Sequence, residues 1–355
     1  MVVTGGGTGG HLFPGIAVAE AFLERFADSE VMFIGAGRPI DNKVLAGRKF
    51  RLASVRVRAL KGKSPLSVLK TIFQLPLSLL QAMKVLKNFG PDIVLGVGGY
   101  VTGPVVLAAR LLGIPTAIHE QNSVPGLANR LLGKIVDRVF LSIPGSEKYF
   151  AEPRIKLTGN PVRKEFRPED AQKEKAGFTL FVLGGSQGAH KINLLVTEAL
   201  AAIKQELPDG FLIIHQTGTD DRQMVKDFYS KHGIQAQVKA FVDDMLACYR
   251  QADLLVSRAG ATSLAEITVM HKPAILIPFP YAADDHQAGN ARFLVDGGGA
   301  VMYREEKLTG GRLAEEIKKI ATDADLRRRM ALNAGRLARP DATENIIGEC
   351  MALIN

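Results

Sequence analysis

Two groups of side chains able to handle protons stand in the first half of this 355-residue sequence. His11 closes the run GGGTGGH (5–11), and His119, Glu120, Gln121 and Asn122 close an apolar run as HEQN. An imidazole titrates near neutral pH and a carboxylate can take or orient a hydroxyl proton, so either group suits general acid–base work. A lone His or Glu after a strand is more often structural, and two such clusters in one domain move the balance toward chemistry. The second half offers anion sites instead. GGSQGAH (184–190) and SRAGATSLAEI (257–267) each run from an apolar stretch through small residues into a helical pattern. The N–H groups and positive dipole end of such a turn attract an anion, and Gly184, Gly185 and Ser186 could hold phosphate oxygens. Two such turns on one domain suit a diphosphate. Glu266, three residues after Ser263, has capping-box spacing, and taken alone that spacing favours a cap over a carboxylate for ribose hydroxyls.

Several chemistries find no support. Gly5, Gly7 and Gly10 satisfy GxGxxG, but the second strand ends in GAGR (35–38) with no acidic residue for a ribose, so a nicotinamide site is not expected. No GxxxxGK[ST] occurs. HE at 119–120 lacks the second histidine of HExxH, and Asp323–Asp325 reads as a helix cap, so no metal and no other cofactor is expected. Asp243–Asp244 and Asp284–Asp285 read as loop or helix-start acids. Cys248 and Cys350 lie too far apart in sequence for a CxxC pair, which fits a reducing, cytosolic compartment.

The elements that must position these groups alternate short apolar runs with helical stretches, the pattern of parallel α/β units. Strands are expected at Val2–Thr4, Val31–Gly35, Ile93–Gly96, Thr116–His119 and Arg138–Leu141, then at Thr179–Leu183, Phe211–His215, Gln237–Phe241, Leu254–Ser257, Ala274–Ile277 and Ala300–Tyr303. Helices are expected at Ile16–Arg25, Val105–Leu112, Asn193–Gln205, Ser263–Met270 and Gln287–Val295. A glycine-rich turn opens each half, so two Rossmann-like domains are read, with GNPVRKEF (159–166) and the charged residues after it as the linker. A cleft between two such domains is a usual place for substrates.

With 46% hydrophobic and 23% charged residues the chain is globular. Its longest uncharged stretches, 1–19 and 93–109, hold too many glycines and prolines to span a membrane, and no signal peptide is apparent. The net charge of +9 is uneven: residues 1–160 hold 20 basic and 10 acidic side chains, the remainder 25 and 26. Between Asp41 and Asp92 no acid occurs, while Lys43, Arg48, Lys49, Arg51, Arg56, Arg58, Lys61, Lys63, Lys70, Lys84 and Lys87 do. That stretch contains LSVLKTIFQLPLSLLQAMKVL (66–86), and the combination suits an anionic membrane surface, although a core helix with a solvated basic face reads as well. Pro76 is expected to break or kink the helix near Leu75. Without a recognition motif, no nucleic acid partner is expected.

The sequence resembles the MurG family of glycosyltransferase family 28. The matching stretches are GGGTGGHLFPGIAVAE (5–20), GVGGYVTGPVVLAA (96–109), IHEQNSVPGLANR (118–130), TGNPVR (158–163), LGGSQGAH (183–190), SRAGATSLAEI (257–267) and DDHQAGNA (284–291), in order from end to end. The resemblance implies an α/β GT-B fold, two Rossmann-like domains with parallel sheets facing across a cleft. It implies an N-terminal acceptor and membrane-facing domain over 1–160, a UDP-N-acetylglucosamine domain over 161–340, and a final helix over 341–355 packing back on the first. Ala259 and Thr262 depart from family members and leave the backbone donors intact, and His286 stands beside Gln287 where a second glutamine can occur, which bears on a side-chain contact to the sugar.

The implied activity is inverting transfer of N-acetylglucosamine from its UDP donor to the C4 hydroxyl of the muramyl sugar of lipid I. The product is lipid II, which places the chain in peptidoglycan synthesis, cell shape and division. On this resemblance Arg163, Phe241, Val242 and Met245 surround the uracil. Ala261, Thr262, Ser263, Leu264, Ala265 and Glu266 hold diphosphate and ribose, with Glu266 on the ribose hydroxyls and Ser186 near the phosphates. Gln287 and Asn290 meet the sugar, and Thr8, Gly9, Gly10 and Asn122 close the site from the other domain. His11 is the preferred base and Glu120 its competitor. Expected partners are the donor, lipid I, an anionic membrane at the cytoplasmic face of the inner membrane, held peripherally, and other cell-wall synthesis proteins. A UDP-N-acetylglucosamine 2-epimerase is the alternative within the fold.

Overall fold

Short apolar runs bounded by glycine form strands, and the amphipathic stretches between them return the chain over the sheet faces as right-handed crossovers do. A computed structural model describes residues 1–38, 44–57, 65–166, 177–185 and 187–354. It divides into two units, Met1–Lys164 with Pro340–Asn355, and Glu165–Arg339.

The first unit holds β1 (Val2–Thr4), β2 (Met32–Gly35), β3 (Arg51–Ser54), β4 (Val94–Gly96), β5 (Thr116–Glu120), β6 (Arg138–Leu141) and β7 (Ile155–Leu157). They form one sheet in the order β3-β2-β1-β4-β5-β6-β7, with every pair parallel. β1 pairs β2 on one side and β4 on the other, so the strand order reverses there and the turns after β1 and β4 become neighbours. The helix Gly9–Arg25 starts directly on the glycine turn, a full turn or more before the expected Ile16, and buries Leu12, Ile16 and Ala19 at helical spacing. The final helix, Ala342–Ile354, belongs to this unit and contributes Ile346, Ile347 and Cys350 to the same core. Its Glu349 pairs with Arg138 at 3.0 Å and Lys156 at 3.1 Å.

β3 and β7 are not anticipated by the sequence. Both are short edge strands, RLAS largely exposed and IKL only half-buried, so neither carries the apolar run that marks an interior parallel strand. Pro76 does not break its helix, which runs from Pro65 to Phe89 with the proline inside it. Proline removes one ladder hydrogen bond, and the C-terminal half is anchored nonetheless, by buried Ala82 and Leu86 and by Ser78 Oγ donating to the Arg56 carbonyl at 2.6 Å.

The second unit holds β8 (Thr179–Leu183), β9 (Leu212–Gln216), β10 (Ala236–Lys239), β11 (Leu254–Ser257), β12 (Ala274–Leu276) and β13 (Ala300–Met302). Their order is β10-β9-β8-β11-β12-β13, again all parallel. β8 lies between β9 and β11, so the glycine turn after β8 is flanked by the turns after both. Phe178, Leu180 and Val182 on β8 and its approach, Val256 on β11 and Ile192, Leu195 and Val196 on the covering helix share one core.

Candidate functional site

In the first unit the two glycine turns interlock at the switch point. Gly6 and Gly7 after β1 take φ of 155° and 93°, and Gly98 and Gly99 after β4 take 103° and 89°, conformations that glycine adopts without strain. Val97 N–H donates to the Thr4 carbonyl at 2.8 Å, and Gly6 N–H donates to the Gly98 carbonyl at 3.3 Å. Gly98 also makes room for the catalytic candidate, since a Cβ there would lie 2.9 Å from the His11 ring. His11 Nδ1 stands 3.4 Å from the Gly6 carbonyl oxygen. With its proton on that nitrogen, the imidazole presents Nε2 as the basic atom. Thr8, Gly9 and Gly10 form the start of the same helix, where Thr8 is the N-cap residue.

HEQN is mostly interior. His119 is fully buried, its Nε2 at 3.1 Å from the Gly159 carbonyl and 3.0 Å from Ser142 Oγ. Gln121 Nε2 donates to His119 Nδ1 at 3.0 Å and to the Val97 carbonyl at 2.9 Å, tying the end of β5 to the second glycine turn. Burial pushes the His119 imidazole down to about 4, so the ring is neutral. Glu120, 2% exposed, accepts at Oε1 from the backbone N–H of Asn122 at 2.9 Å and from Asn122 Nδ2 at 3.2 Å. At Oε2 it accepts from Asn129 Nδ2 at 2.8 Å and from Gly126 N–H at 3.3 Å. Burial raises its carboxyl above the usual range, and these donors oppose that rise. Asn122 itself is half-buried, so it is the member of the four that Glu120 fixes and leaves accessible. Arg163 lies in this unit, its guanidinium 5.9 Å from the centre of the Phe13 ring.

In the second unit a residue outside the expected set does the joining. Gln216 ends β9, 2% exposed; its Nε2 donates to the Gly185 carbonyl at 2.8 Å and its Oε1 accepts from Val242 N–H at 2.9 Å. One amide thus ties the glycine turn after β8 to the Phe241–Val242 turn after β10. The backbone is equally close: a Cβ on Gly188 would lie 2.0 Å from the Thr217 carbonyl oxygen. Phe241 is 53% exposed and Val242 buried. Met245 begins the next helix, capped by Asp244, which accepts from Ala247 N–H at 2.9 Å. Ser186 lies outside the described residues.

The helix Ala261–Val269 is capped by Gly260 with no side-chain cap bond. The capping box expected of Ser263 and Glu266 is therefore not formed, because the helix starts two residues before Ser263. Glu266 Oε2 instead accepts from Tyr249 Oη at 3.0 Å. Ala261, Thr262, Ser263 and Ala265 are partly exposed while Leu264 is buried. Gln287 and Asn290, expected on a sugar, each support the turn after β11. Gln287 Oε1 accepts from Ala259 N–H at 3.3 Å and Phe279 N–H at 2.9 Å, and fully buried Asn290 donates from Nδ2 to the Ala259 carbonyl at 3.1 Å. Asp284 and Asp285 take φ of 50° and 53°, a left-handed pair held by Arg304, which reaches both Asp285 oxygens at 2.7 and 2.5 Å. Asp323 caps its helix, accepting from Leu326 N–H at 2.8 Å. Among the described residues no three His, Cys, Asp or Glu side chains group as metal ligands, and no helix is long and apolar enough to cross a membrane.

The acid-free stretch is not acid-free in space. Arg48 pairs with Glu20, and Arg51 with Glu30 at 2.8 Å, because β3 lies beside β2 and the fold brings earlier acids to them. Arg58, Lys61 and Lys63 lie outside the described residues. Sequence reasoning passed over Gln216 and Tyr249 because a buried polar residue in an apolar run carries no marker of its partner.

Two doubly wound parallel sheets in one chain, each with a glycine turn at its switch point, give the GT-B type of fold, the class of many glycosyltransferases. Residues 1–141 match the glycosyltransferase family 28 N-terminal domain and residues 179–346 its C-terminal domain. A protein of Desulfotalea psychrophila is 49% identical over 357 residues, covering 100% of this chain and 97% of its own, and is named UDP-N-acetylglucosamine--N-acetylmuramyl-(pentapeptide) pyrophosphoryl-undecaprenol N-acetylglucosamine transferase. One of Syntrophus aciditrophicus with the same name is 48% identical and covers 100% of this chain and 98% of its own. The crystal structure of MurG from Acinetobacter baumannii superposes with a TM-score of 0.80 at 30% identity, covering 99% of each chain. The chain belongs to glycosyltransferase family 28.

Proposed function

We propose that this enzyme transfers N-acetylglucosamine from UDP-N-acetylglucosamine to the C4 hydroxyl of the muramyl sugar of lipid I, forming lipid II. The assignment rests on identity close to one half along the whole chain with relatives named for that transfer. The second unit takes the donor: Phe241, Val242 and Met245 receive the uracil, Glu266 the ribose, and Gly184 and Gly185 with Ser186, together with the helix start Ala261–Ala265, the diphosphate. Arg163 is read with these residues as a uracil contact. Gln287 keeps its Nε2 for the sugar while its Oε1 holds the turn, and Asn290 acts on the sugar through Ala259.

In the first unit His11 is the base. The Gly6 carbonyl orients Nδ1, and Nε2 takes the proton of the C4 hydroxyl as that oxygen bonds to the anomeric carbon. The bond from that carbon to the β-phosphate oxygen breaks on the opposite face, and UDP leaves. N–H groups at helix starts stabilise the charge that develops on the diphosphate. Glu120 shapes the Asn122 turn, since both its oxygens are occupied by donors. Thr8, Gly9, Gly10 and Asn122 line the acceptor side.

A lipid-linked acceptor places the enzyme peripherally on the cytoplasmic face of the inner membrane, beside other cell-wall synthesis proteins. Leu77, Leu80, Lys84 and Lys87 support this: they are exposed and share one stripe of the helix Pro65–Phe89, leucines toward its middle and lysines toward its end. The family relation disfavours the epimerase reading. Incubation with radiolabelled UDP-N-acetylglucosamine and a lipid I analogue, with and without EDTA, tests the assignment. Labelled lipid II formed equally in both arms is expected. UDP-N-acetylmannosamine formed without acceptor would overturn the transferase reading, and loss of transfer in EDTA its metal-free form.

A further inference from the structure

We infer that Tyr249 is a positioning residue for the donor ribose, acting through Glu266; the inference rests on the donor reading above. Tyr249 lies on the helix Met245–Gln251, which directly follows the Phe241–Val242 turn. Its side chain is fully buried, and its ring is held edge-on by Phe166 at 5.6 Å and by Phe181 at 5.7 Å. These two contacts, one from the start of the unit and one from the centre of β8, leave the ring little freedom to turn. Its hydroxyl therefore has a fixed position, and from there it donates to Glu266 Oε2 at 3.0 Å.

Glu266 is 8% exposed, and a buried carboxylate without donors would be costly. A bond from a neutral hydroxyl to an ionised carboxylate is among the stronger side-chain bonds. Holding one oxygen sets the rotation of the carboxylate plane, which a pair of neighbouring ribose hydroxyls requires if both are to be met in one geometry. The same phenol links two elements. Base and ribose are covalently joined in a uridine nucleotide, so the turn that receives the uracil and the carboxylate that receives the ribose must keep a fixed separation. Tyr249 is the side chain that spans from the helix of the first to the helix of the second.

The test compares UDP with 2′-deoxy-UDP by calorimetry, together with donor KM and kcat. Tyr249→Phe removes only the oxygen and keeps the ring packing. The preference for UDP over the deoxy analogue should fall about three- to tenfold, the span of one hydrogen bond, with donor KM rising and kcat within about twofold. Phe166→Leu, which loosens the packing but keeps the hydroxyl, should retain the preference. Glu266→Gln separates the two layers of the argument. If it loses the preference while Tyr249→Phe keeps it, Tyr249 is packing only and the donor reading stands. If Glu266→Gln also keeps it, the ribose is not read by Glu266 and the donor reading fails with the inference. Equal loss in Phe166→Leu and Tyr249→Phe would reassign the effect to packing and overturn it.

Discussion

Gly99 lies against Gly6 so closely that a Cβ on Gly99 would sit 2.3 Å from the Gly6 carbonyl oxygen. The contact joins the turn that carries His11 to the turn after β4, and neither can move without the other. Gly99 also has φ of 89°. Gly99→Ala therefore meets both a backbone collision and a disfavoured conformation, together about 1–3 kcal/mol or more. Transfer should fall at least about tenfold and the thermal midpoint by several degrees. Gly103→Ala, with nothing within 4 Å of its added carbon, is the control and should change neither.

His11 and Glu120 should separate in kinetics. His11→Ala is expected to lower kcat by about 10²–10⁴ at saturating donor, the usual contribution of a general base, and to leave UDP affinity unchanged. Glu120→Gln sets an amide N–H₂ against groups that already donate, so it should destabilise the first unit by about 1–3 kcal/mol. Its kcat, measured on folded protein, should fall less than that of His11→Ala. Near-normal turnover in His11→Ala would remove it as the base.

Gln216→Ala unties the glycine turn after β8 from the turn after β10. Two buried hydrogen bonds go at once, and UDP affinity should weaken about tenfold or more. Gln216→Glu should be no better, because a carboxylate oxygen then faces the Gly185 carbonyl. Wild-type UDP affinity in either variant, measured by calorimetry, would show that the two turns hold their spacing without the amide.

His119 gives the first unit an acid-sensitive fold. Its folded-state value is lowered from 6.5 to about 4 by burial, so the unfolded chain binds the proton more readily. The stability this group contributes is complete above about pH 6.5 and is lost as pH falls toward 4, about 3 kcal/mol in all. Denaturant unfolding followed from pH 7 to 4 should show that slope, and His119→Gln should flatten it. An unchanged slope in the variant would assign the acid sensitivity elsewhere, His215 in the second unit being lowered to about 3 for the same reason.

Membrane attachment should depend on the exposed stripe and the lysines before it. Replacing Leu77 and Leu80 with Ser, or Lys61, Lys63 and Lys70 with Glu, should weaken flotation with anionic vesicles severalfold while UDP binding stays at the wild-type level. Vesicle binding unchanged in both variants would return the stripe to an ordinary solvated surface. Because Arg48 and Arg51 already pair with Glu20 and Glu30, Arg51→Glu should matter less than the lysine changes.

Much of this was legible in the residues. Interior parallel strands are buried on both faces, so β1, β4, β5, β8, β9, β11 and β12 appear as continuous apolar runs, and glycine turns after β1 and β8 mark where helices begin. β3 and β7 escaped because an edge strand needs no such run. Glu266 was read by spacing as half of a capping box, but the cap depends on where the helix starts, and Gly260 starts it two residues earlier.

The sequence by itself determined two parallel α/β units, the glycine turns, the candidate base and the family resemblance, since each depends on residue type and local spacing. Tertiary structure decided which polar groups are instruments and which are supports. Glu120, Asn290 and Gln216 are alike in sequence, polar residues near strand ends or helix starts. Glu120 meets Asn122, Gly126 and Asn129 within its own loop, whereas the partners of Gln216 meet only because β9 lies between β8 and β10. A buried polar group must find its partner in that arrangement or carry a large desolvation cost, and that requirement sets Tyr249 against Glu266 and Gln121 against the Val97 carbonyl.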